Sequence, residues 1–300
     1  MKSWPAIPQR RFDADVRQIP IQQYEPVKGQ MDAREQFERE CRENIACLGN
    51  DGLLKERAFQ WFQHSLQYKY SYNFSSLGRP IIQYPQDMVA IQELVWQIKP
   101  DLIIETGIAH GGSLILSASM LALLDYCEAV ESGQALDPKA TRRRVLGIDI
   151  DIRAHNRAAI EAHPMAHRID MIQGSSITPE VVEQVRRVAQ GHQRILVILD
   201  SNHTHDHVLA ELEAYAPLTS PGSYCIVFDT VVEDLPDAMF LDRPWGKGNN
   251  PKTATWEYLR RLKEKSCIAA DGKPLAFQID SALESKLLIT VAPDGYLRRI

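Results

Sequence analysis

The stretch "LVILDSNHTHDHV", Leu196 to Val208, sets one aspartate and three histidines at the end of an apolar run. Asp200 closes that run, and His203 follows three residues later on the turn that leaves it. An imidazole there, with an unperturbed pKa of roughly 6.5, can take a proton from a substrate hydroxyl at neutral pH. A second apolar run, "GSYCIVFDT", ends in Asp229. If the two runs are adjacent parallel strands, Asp200 and Asp229 face one pocket and can share a divalent cation through hard oxygen ligands. Such a cation would lower the pKa of a bound hydroxyl and ease the task of the base. The same histidines also resemble a zinc site. His203 and His207 have the i, i+4 spacing of a helical zinc pair, but the glutamate of HExxH is missing. For His205, Asp206 and His207 the simpler expectation is the polar first turn of a surface helix, with Asp206 near the positive dipole end.

A second group lies upstream. "ETGIAHGGS", Glu105 to Ser113, carries Gly107, Gly111 and Gly112, which allow a tight turn and close approach to a ligand. The spacing is neither the dinucleotide GxGxxG nor a phosphate loop ending in Gly-Lys-Ser/Thr. Asp149 ends the next apolar run and can accept hydrogen bonds from a ribose diol. Ser175 and Ser176, in "QGSS", can hold an adenine edge or cap the following helix. A glycine turn after one strand and an acid after the next suit S-adenosylmethionine better than a nicotinamide dinucleotide.

These residues need a scaffold that brings them to one rim. "DLIIET", "RVLGIDID", "IDMIQGSS", "RILVILDS" and "GSYCIVFDT" read as five strands. Between them fall helical patterns over 113–128, 154–162, 179–189 and 207–216. Strands alternating with helices imply βαβ crossovers and an α/β, doubly wound, mostly parallel sheet. In such sheets ligands bind outside the carboxyl ends of the strands. A helix over 253–265 comes next, then "LAFQID" and "KLLITVAPDGYLRRI", which could pair as antiparallel strands. Upstream, 32–68 reads as helical, "SYNFSSLGRPIIQYPQDM" as an irregular linker, and Pro85 and Asp87 as start signals for a helix over 88–98. The first thirty residues, rich in Pro, Gln and Arg, read as an extended arm.

Bulk properties narrow the function. The 300 residues are 44% hydrophobic and 24% charged, as in an ordinary globular protein, with a net charge of -5. That balance argues against a general nucleic-acid binder. Five scattered cysteines without a CxxC pair imply reduced thiols and a cytoplasmic home. No apolar stretch is read as reaching the roughly 20 residues of a membrane span, and no signal-peptide core is seen at the start.

Together "QYPQDM", "KPDLIIETGIAHGGS", "VLGIDIDIR", "LDSNHTHDHV", "RPWGKGNNPKTA" and "KLLITVAPDGYLRR" resemble the cephalosporin hydroxylase/rhamnosyl O-methyltransferase family, from about Tyr72 to the C-terminus. The resemblance implies a seven-stranded, Rossmann-like class I methyltransferase domain over 86–300, with a helical extension over 1–85 as an oligomerisation element. It places the family's cofactor loop on Glu105, Gly107 and Ser113, its ribose acid on Asp149 and its adenine-side turn on Ser175 and Ser176. The first metal aspartate matches Asp200 and the general base His203; Asp229 is the second metal residue. The implied reaction is O-methyl transfer from S-adenosylmethionine to a small-molecule hydroxyl, on a sugar or natural-product intermediate, with magnesium at the site and a homo-oligomer as the working form. Magnesium-dependent members carry Glu-Asp at the end of the fifth strand, where this chain has Phe228-Asp229. Water, Glu233 or Asp234 would then complete a metal shell, or no metal would bind. The loop from Asp234 to Ala254, with Phe240 and Trp245, is expected to be a lid or substrate wall, and Gln83, Tyr84 and Asp87 another wall. A non-catalytic partner of a tailoring enzyme and a metal-dependent hydrolase are the alternative functions.

Overall fold

The computed structural model describes residues 32–300, and the expected N-terminal arm lies outside the described residues. Contacts separate Met1–Cys41 from Arg42–Ile300. The described part of the first unit is helical, with an exposed i, i+4 ion pair between Arg34 and Glu38. Among the described residues, every strand belongs to the second unit.

The helical run expected over 32–68 is two helices, α1 (Ala33–Asn50) and α2 (Gly52–Leu66). The break falls at Asp51, whose carboxylate accepts the Leu54 N–H at 2.9 Å and caps α2. The expected irregular linker contains a hairpin, β1 (Phe74–Ser76) and β2 (Arg79–Ile81). Its two-residue turn is Leu77-Gly78, both at positive φ, as a right-twisted hairpin requires. Next comes α3 (Pro85–Ile98), which has Pro85 in its first turn, where a missing N–H costs nothing.

The alternating region then runs β3 (Leu102–Thr106), α4 (Gly112–Ser132), β4 (Arg144–Asp149), α5 (Ala154–Glu161), β5 (Ile169–Gln173) and α6 (Pro179–Ala189). It continues through β6 (Ile195–Leu199), α7 (His205–Tyr215), β7 (Tyr224–Val227) and α8 (Pro251–Glu264). The last elements are β8 (Phe277–Ile279), α9 (Ser281–Leu287) and β9 (Tyr296–Arg299). The terminal run "KLLITVAPDGYLRRI" is a strand only over its final part. Its start ends α9, and Leu288 turns the chain at φ 57°. The buried Asp87 carboxylate then fixes the loop by accepting from the Thr290 hydroxyl, the Val291 N–H and the Tyr296 hydroxyl. Burial pushes the Asp87 pKa up to about 6.

The strand order is β5-β4-β3-β6-β7-β9-β8: five parallel strands, then β9 antiparallel to both neighbours. This is the expected α/β, doubly wound, mostly parallel seven-stranded sheet. Its central strands β3, β6 and β7 are buried throughout because both faces are covered. Ile103, Val145, Leu196 and Ile226 point to the core under α3 and α4. Their neighbours Leu102, Ile104, Leu146, Val197 and Cys225 point to the core under α6, α7 and α8. All five cysteines are free thiols.

One expectation is corrected by α4. With 21 residues and a mean hydropathy of 1.5, it is long and apolar enough to cross a membrane. In the fold it is the crossover from β3 to β4, and Leu114, Ile115, Ala118 and Leu121 are fully buried in the core.

The strand order reverses between β3 and β6, the switch point where α/β sheets open a crevice. Beyond the strands the ladder continues: Gly107 donates to Ile148, Asp200 to Thr106, and Phe228 to Leu199. Gly107, Asp200 and the residue after Phe228 therefore stand side by side on one rim.

Candidate active site

The glycine turn is shaped by the protein's own atoms. Gly107 has φ +91°, and a Cβ there would lie 2.0 Å from the Asp200 carbonyl oxygen. A Cβ on Gly111 would meet Ile160, and one on Gly112 the Pro80 carbonyl at 2.2 Å. The close approach expected toward a ligand is thus made toward the β6 end, α5 and the hairpin. The contact at Gly112 seats β2 on the start of α4, which brings Gln83 over the rim. Its Nε2 donates to Asp200 Oδ2 at 3.3 Å.

Asp149 holds the turn from the other side. Its Oδ2 accepts the Ile108 N–H at 2.8 Å and the Ala109 N–H at 3.3 Å, and its Oδ1 accepts from Asp151. With Gly107, Ile148, Ile150, Ser175, Ser176, Ser201, Asn202 and His207 it lines a cleft of about 120 Å³. A recess of about 50 Å³, lined by Gln83, Gly107, His110, Gly112, Ser113 and Asp200 among others, opens on the other side of Gly107. Glu105 lies beneath this surface, 2% exposed, and accepts from the Ser113 hydroxyl. Burial pushes its carboxyl up to about 7, against the lowering effect of Ser113. It faces a void of about 20 Å³ shared with Gln83, Asp87, Asp200 and Phe228.

On the β6–β7 side, Asp200, His203 and Asp229 each offer a ligand atom, and these atoms lie within 4.8 Å of one another. His203 Nε2 is 3.3 Å from Asp229 Oδ2. Burial, then the like charge of Asp229, hold the Asp200 pKa well above the usual carboxylate range. Trp245 stands edge-on to His203, with ring centroids 4.8 Å apart at 83°, and Arg243 lies over the Trp245 ring. The loop that carries them is tied at its base. Glu233 accepts from the Gly248 N–H and the Asn250 amide, and Lys252 pairs with Asp234 at 2.6 Å. Among the described residues, neither Glu233 nor Asp234 joins the ligand atoms clustered at Asp200, His203 and Asp229. The Phe228 ring is buried, edge-on to Tyr296.

The structure parts the three histidines. His203 faces Asp229, His205 Nδ1 meets the Thr253 hydroxyl at 2.9 Å, and His207 turns into the cleft against Ser176, at 3.0 Å. "HTHDH" is therefore no single metal cage. His207 also corrects the expectation of a solvated first turn, since its side chain is only 19% exposed. The signal that could have found it is Glu211, which falls on the same helical stripe as Val208, Leu212 and Tyr215 and is fully buried with them. A carboxylate on an apolar stripe, four residues after a histidine, marks an inward-facing pair. Of the residues expected as a wall, Gln83 reaches Asp200. Tyr84 is fully buried, its hydroxyl 2.7 Å from Ser65 Oγ, and Asp87 serves the α9–β9 loop.

The family model described as Rhamnosyl O-methyltransferase/CmcI matches residues 68–300. The rhamnosyl O-methyltransferase of Mycobacterium tuberculosis (strain H37Rv) is 29% identical over 218 residues, covering 71% of this chain and 73% of that protein. That of Mycobacterium leprae is 29% identical over 226 residues, covering 74% and 82%. Among solved structures, CmcI with Mg and S-adenosylmethionine aligns with a TM-score of 0.45 and 17% identity, over 76% of this chain and 77% of that one. The MycE methyltransferase from the mycinamycin biosynthetic pathway, with Mg and S-adenosylhomocysteine, aligns with a TM-score of 0.40 and 17% identity, over 71% and 47%.

Proposed function

The chain belongs to the rhamnosyl O-methyltransferase/CmcI family, and we propose that it methylates a hydroxyl of a sugar or another natural-product intermediate, with His203 as the base. The coarser activity goes with the family: it is an S-adenosylmethionine-dependent O-methyltransferase. The observation that carries the finer reading is the meeting of Asp200, His203 and Asp229 on the rim beside Gly107.

The cleft beyond Gly107 suits the cofactor's chemistry. Asp149 offers carboxylate oxygens to a diol, Ser175 and Ser176 offer hydroxyls, and Ile148 and Ile150 offer apolar walls. Gly107 and Ser113 line the recess toward Asp200, while Glu105 supports Ser113 from below. S-Adenosylmethionine, when bound, supplies a methyl group on a positively charged sulfur. The chain's own contribution is then to place a hydroxyl near Asp200 and to remove its proton. With Nε2–H directed at Asp229, His203 takes that proton on Nδ1. Asp229, 3.3 Å away, orients the ring and balances the imidazolium that forms. Trp245 walls the base off from solvent on one side. Holding nucleophile and base in fixed geometry supplies much of the acceleration expected of such a site.

The donor set also fits a divalent cation such as Mg2+. Asp200 and Asp229 would hold it, and its charge would offset both the burial and the Asp229 repulsion that raise the Asp200 pKa. Such a cation would acidify the bound hydroxyl. The reduced cysteines accord with placing the protein in the cytoplasm.

His203→Ala is expected to lower methyl transfer roughly 10²-fold, the usual size for a lost general base, while S-adenosylhomocysteine affinity stays nearly constant. Unchanged turnover would overturn the assignment. Activity that survives EDTA in metal-free buffer would identify the site as metal-independent, with Asp229 acting only on His203.

A further inference from the structure

Between the cleft and α7 runs a chain of polar side chains that the methyl-transfer chemistry leaves without a task. Glu211 is fully buried, and its Oε2 has no hydrogen-bond partner among the described residues. The Ser201 hydroxyl donates to Glu211 Oε1 at 2.6 Å. His207 Nε2 faces three oxygens: Ser176 Oγ at 3.0 Å, Ser201 Oγ at 3.4 Å and Glu211 Oε1 at 3.6 Å. The Tyr215 hydroxyl donates to the Ser176 carbonyl and fixes that residue's backbone.

Proton counting gives the chain a direction. A serine hydroxyl has one hydrogen to donate, and that of Ser201 goes to Glu211. Ser201 Oγ can then only accept from the imidazole, and Glu211 Oε1 is an acceptor already. Both favour the tautomer with hydrogen on Nε2. Nε2–H then donates to the nearest oxygen, Ser176 Oγ, whose own hydrogen is turned away from the imidazole. Ser176 is 5% exposed, and it lines the cleft with Gly107, Asp149, Ser175 and Asn202.

We infer that Glu211, Ser201 and His207 are positioning residues that hold the Ser176 hydroxyl as a hydrogen-bond donor into the cleft, where it selects a purine by an accepting ring nitrogen. The inference rests on the reading that the cofactor's adenosine occupies this cleft. It adds polarity to the site: this wall donates, and a base with carbon in place of the accepting nitrogen is refused.

The test uses S-adenosylhomocysteine and its 1-deaza, 3-deaza and 7-deaza analogues, titrated calorimetrically into the full-length protein and its Ser176→Ala, His207→Phe and Asp149→Ala variants. One of the three analogues is expected to bind the wild type about tenfold more weakly than S-adenosylhomocysteine, the upper size of one neutral hydrogen bond. That penalty should shrink to about twofold or less in Ser176→Ala and in His207→Phe, a change that mere loosening of the cleft would not produce. Three analogues that all bind the wild type like the parent overturn the inference, as does a penalty that survives both substitutions. If Asp149→Ala weakens the parent compound while these patterns fail, the inference alone falls. If Asp149→Ala leaves its affinity unchanged, the cofactor lies elsewhere and both readings fall.

Discussion

The two halves of the rim are built by different means. On the β3–β4–β5 side the main chain is the material. Asp149 binds the N–H groups of Ile108 and Ala109, Asn156 donates to the Ala109 carbonyl, and Arg79 donates to that of His110. On the β6–β7 side the material is side chains delivered by remote segments: Gln83 from beyond the hairpin, Asp229 at a left-handed turn, and Trp245 from a long loop. A surface made of backbone admits little change in shape. A surface made of converging side chains can change its ligand by changing one loop. On the proposed reading, the first suits the methyl donor and the second the acceptor.

The severest way to break this division is to add one carbon at its centre. Gly107→Ala places a methyl where the Asp200 carbonyl stands and asks alanine to hold φ +91°. Backbone strain and the clash together should cost about 4 kcal/mol of stability, read as a lower urea midpoint. Because the collision lies between β3 and β6, S-adenosylhomocysteine binding and methyl transfer should fail together. A stable variant with normal affinity would show that the turn is soft and that the main chain does not set the cofactor half.

The same division explains what the sequence can disclose. Strand ends, the glycine turn, Asp149, Asp200 and Asp229 are legible because each sits at a fixed offset from an apolar run, and the sheet order then makes them neighbours. Nothing local links Gln83 to Asp200 or Trp245 to His203, since those contacts arise from how the hairpin and the long loop fold back. His207 reads as solvated because first-turn histidines usually are, and only the place of its partner Glu211 on an apolar stripe marks the pair as inward-facing. The terminal run reads as a longer strand than it is because "LLITV" has strand composition, whereas the Asp87 carboxylate, far upstream, holds its end in a loop.

A pH series sharpens the comparison from below the surface. Burial raises the Glu105 pKa from 4.5 to about 7, so between those values the folded state binds more protons than the unfolded one. Stability must therefore fall as pH rises through that window, by on the order of 3 kcal/mol from this group. Glu105→Gln keeps an oxygen for the Ser113 hydroxyl and removes the charge. Its stability should fall less between pH 5 and pH 8, though not to zero, because burial also raises Asp87 to about 6 and Glu284 to about 7. Parallel urea-midpoint profiles for variant and wild type would mean that Glu105 is ionised throughout, and that the cofactor half tolerates a buried charge under its turn.

The smallest expected effect tests the other half alone. Trp245 stands edge-on to His203 and is not among the residues lining the cleft or the recess, and Asn249 ties the same loop to the His205 N–H at 2.9 Å. Trp245→Ala removes an aromatic wall and frees one face of the imidazole, yet leaves the loop's anchors at Glu233 and Lys252 intact. If Trp245 also walls the acceptor, its apolar face against the bound ligand is worth about 1.4 kcal/mol, so KM for the acceptor should rise about tenfold. kcat should fall less, because Asp229 still orients His203, and S-adenosylhomocysteine affinity should stay within about twofold. Equal losses of acceptor and cofactor affinity would mean that the loop clamps both ligands, and that the rim works as one surface rather than two.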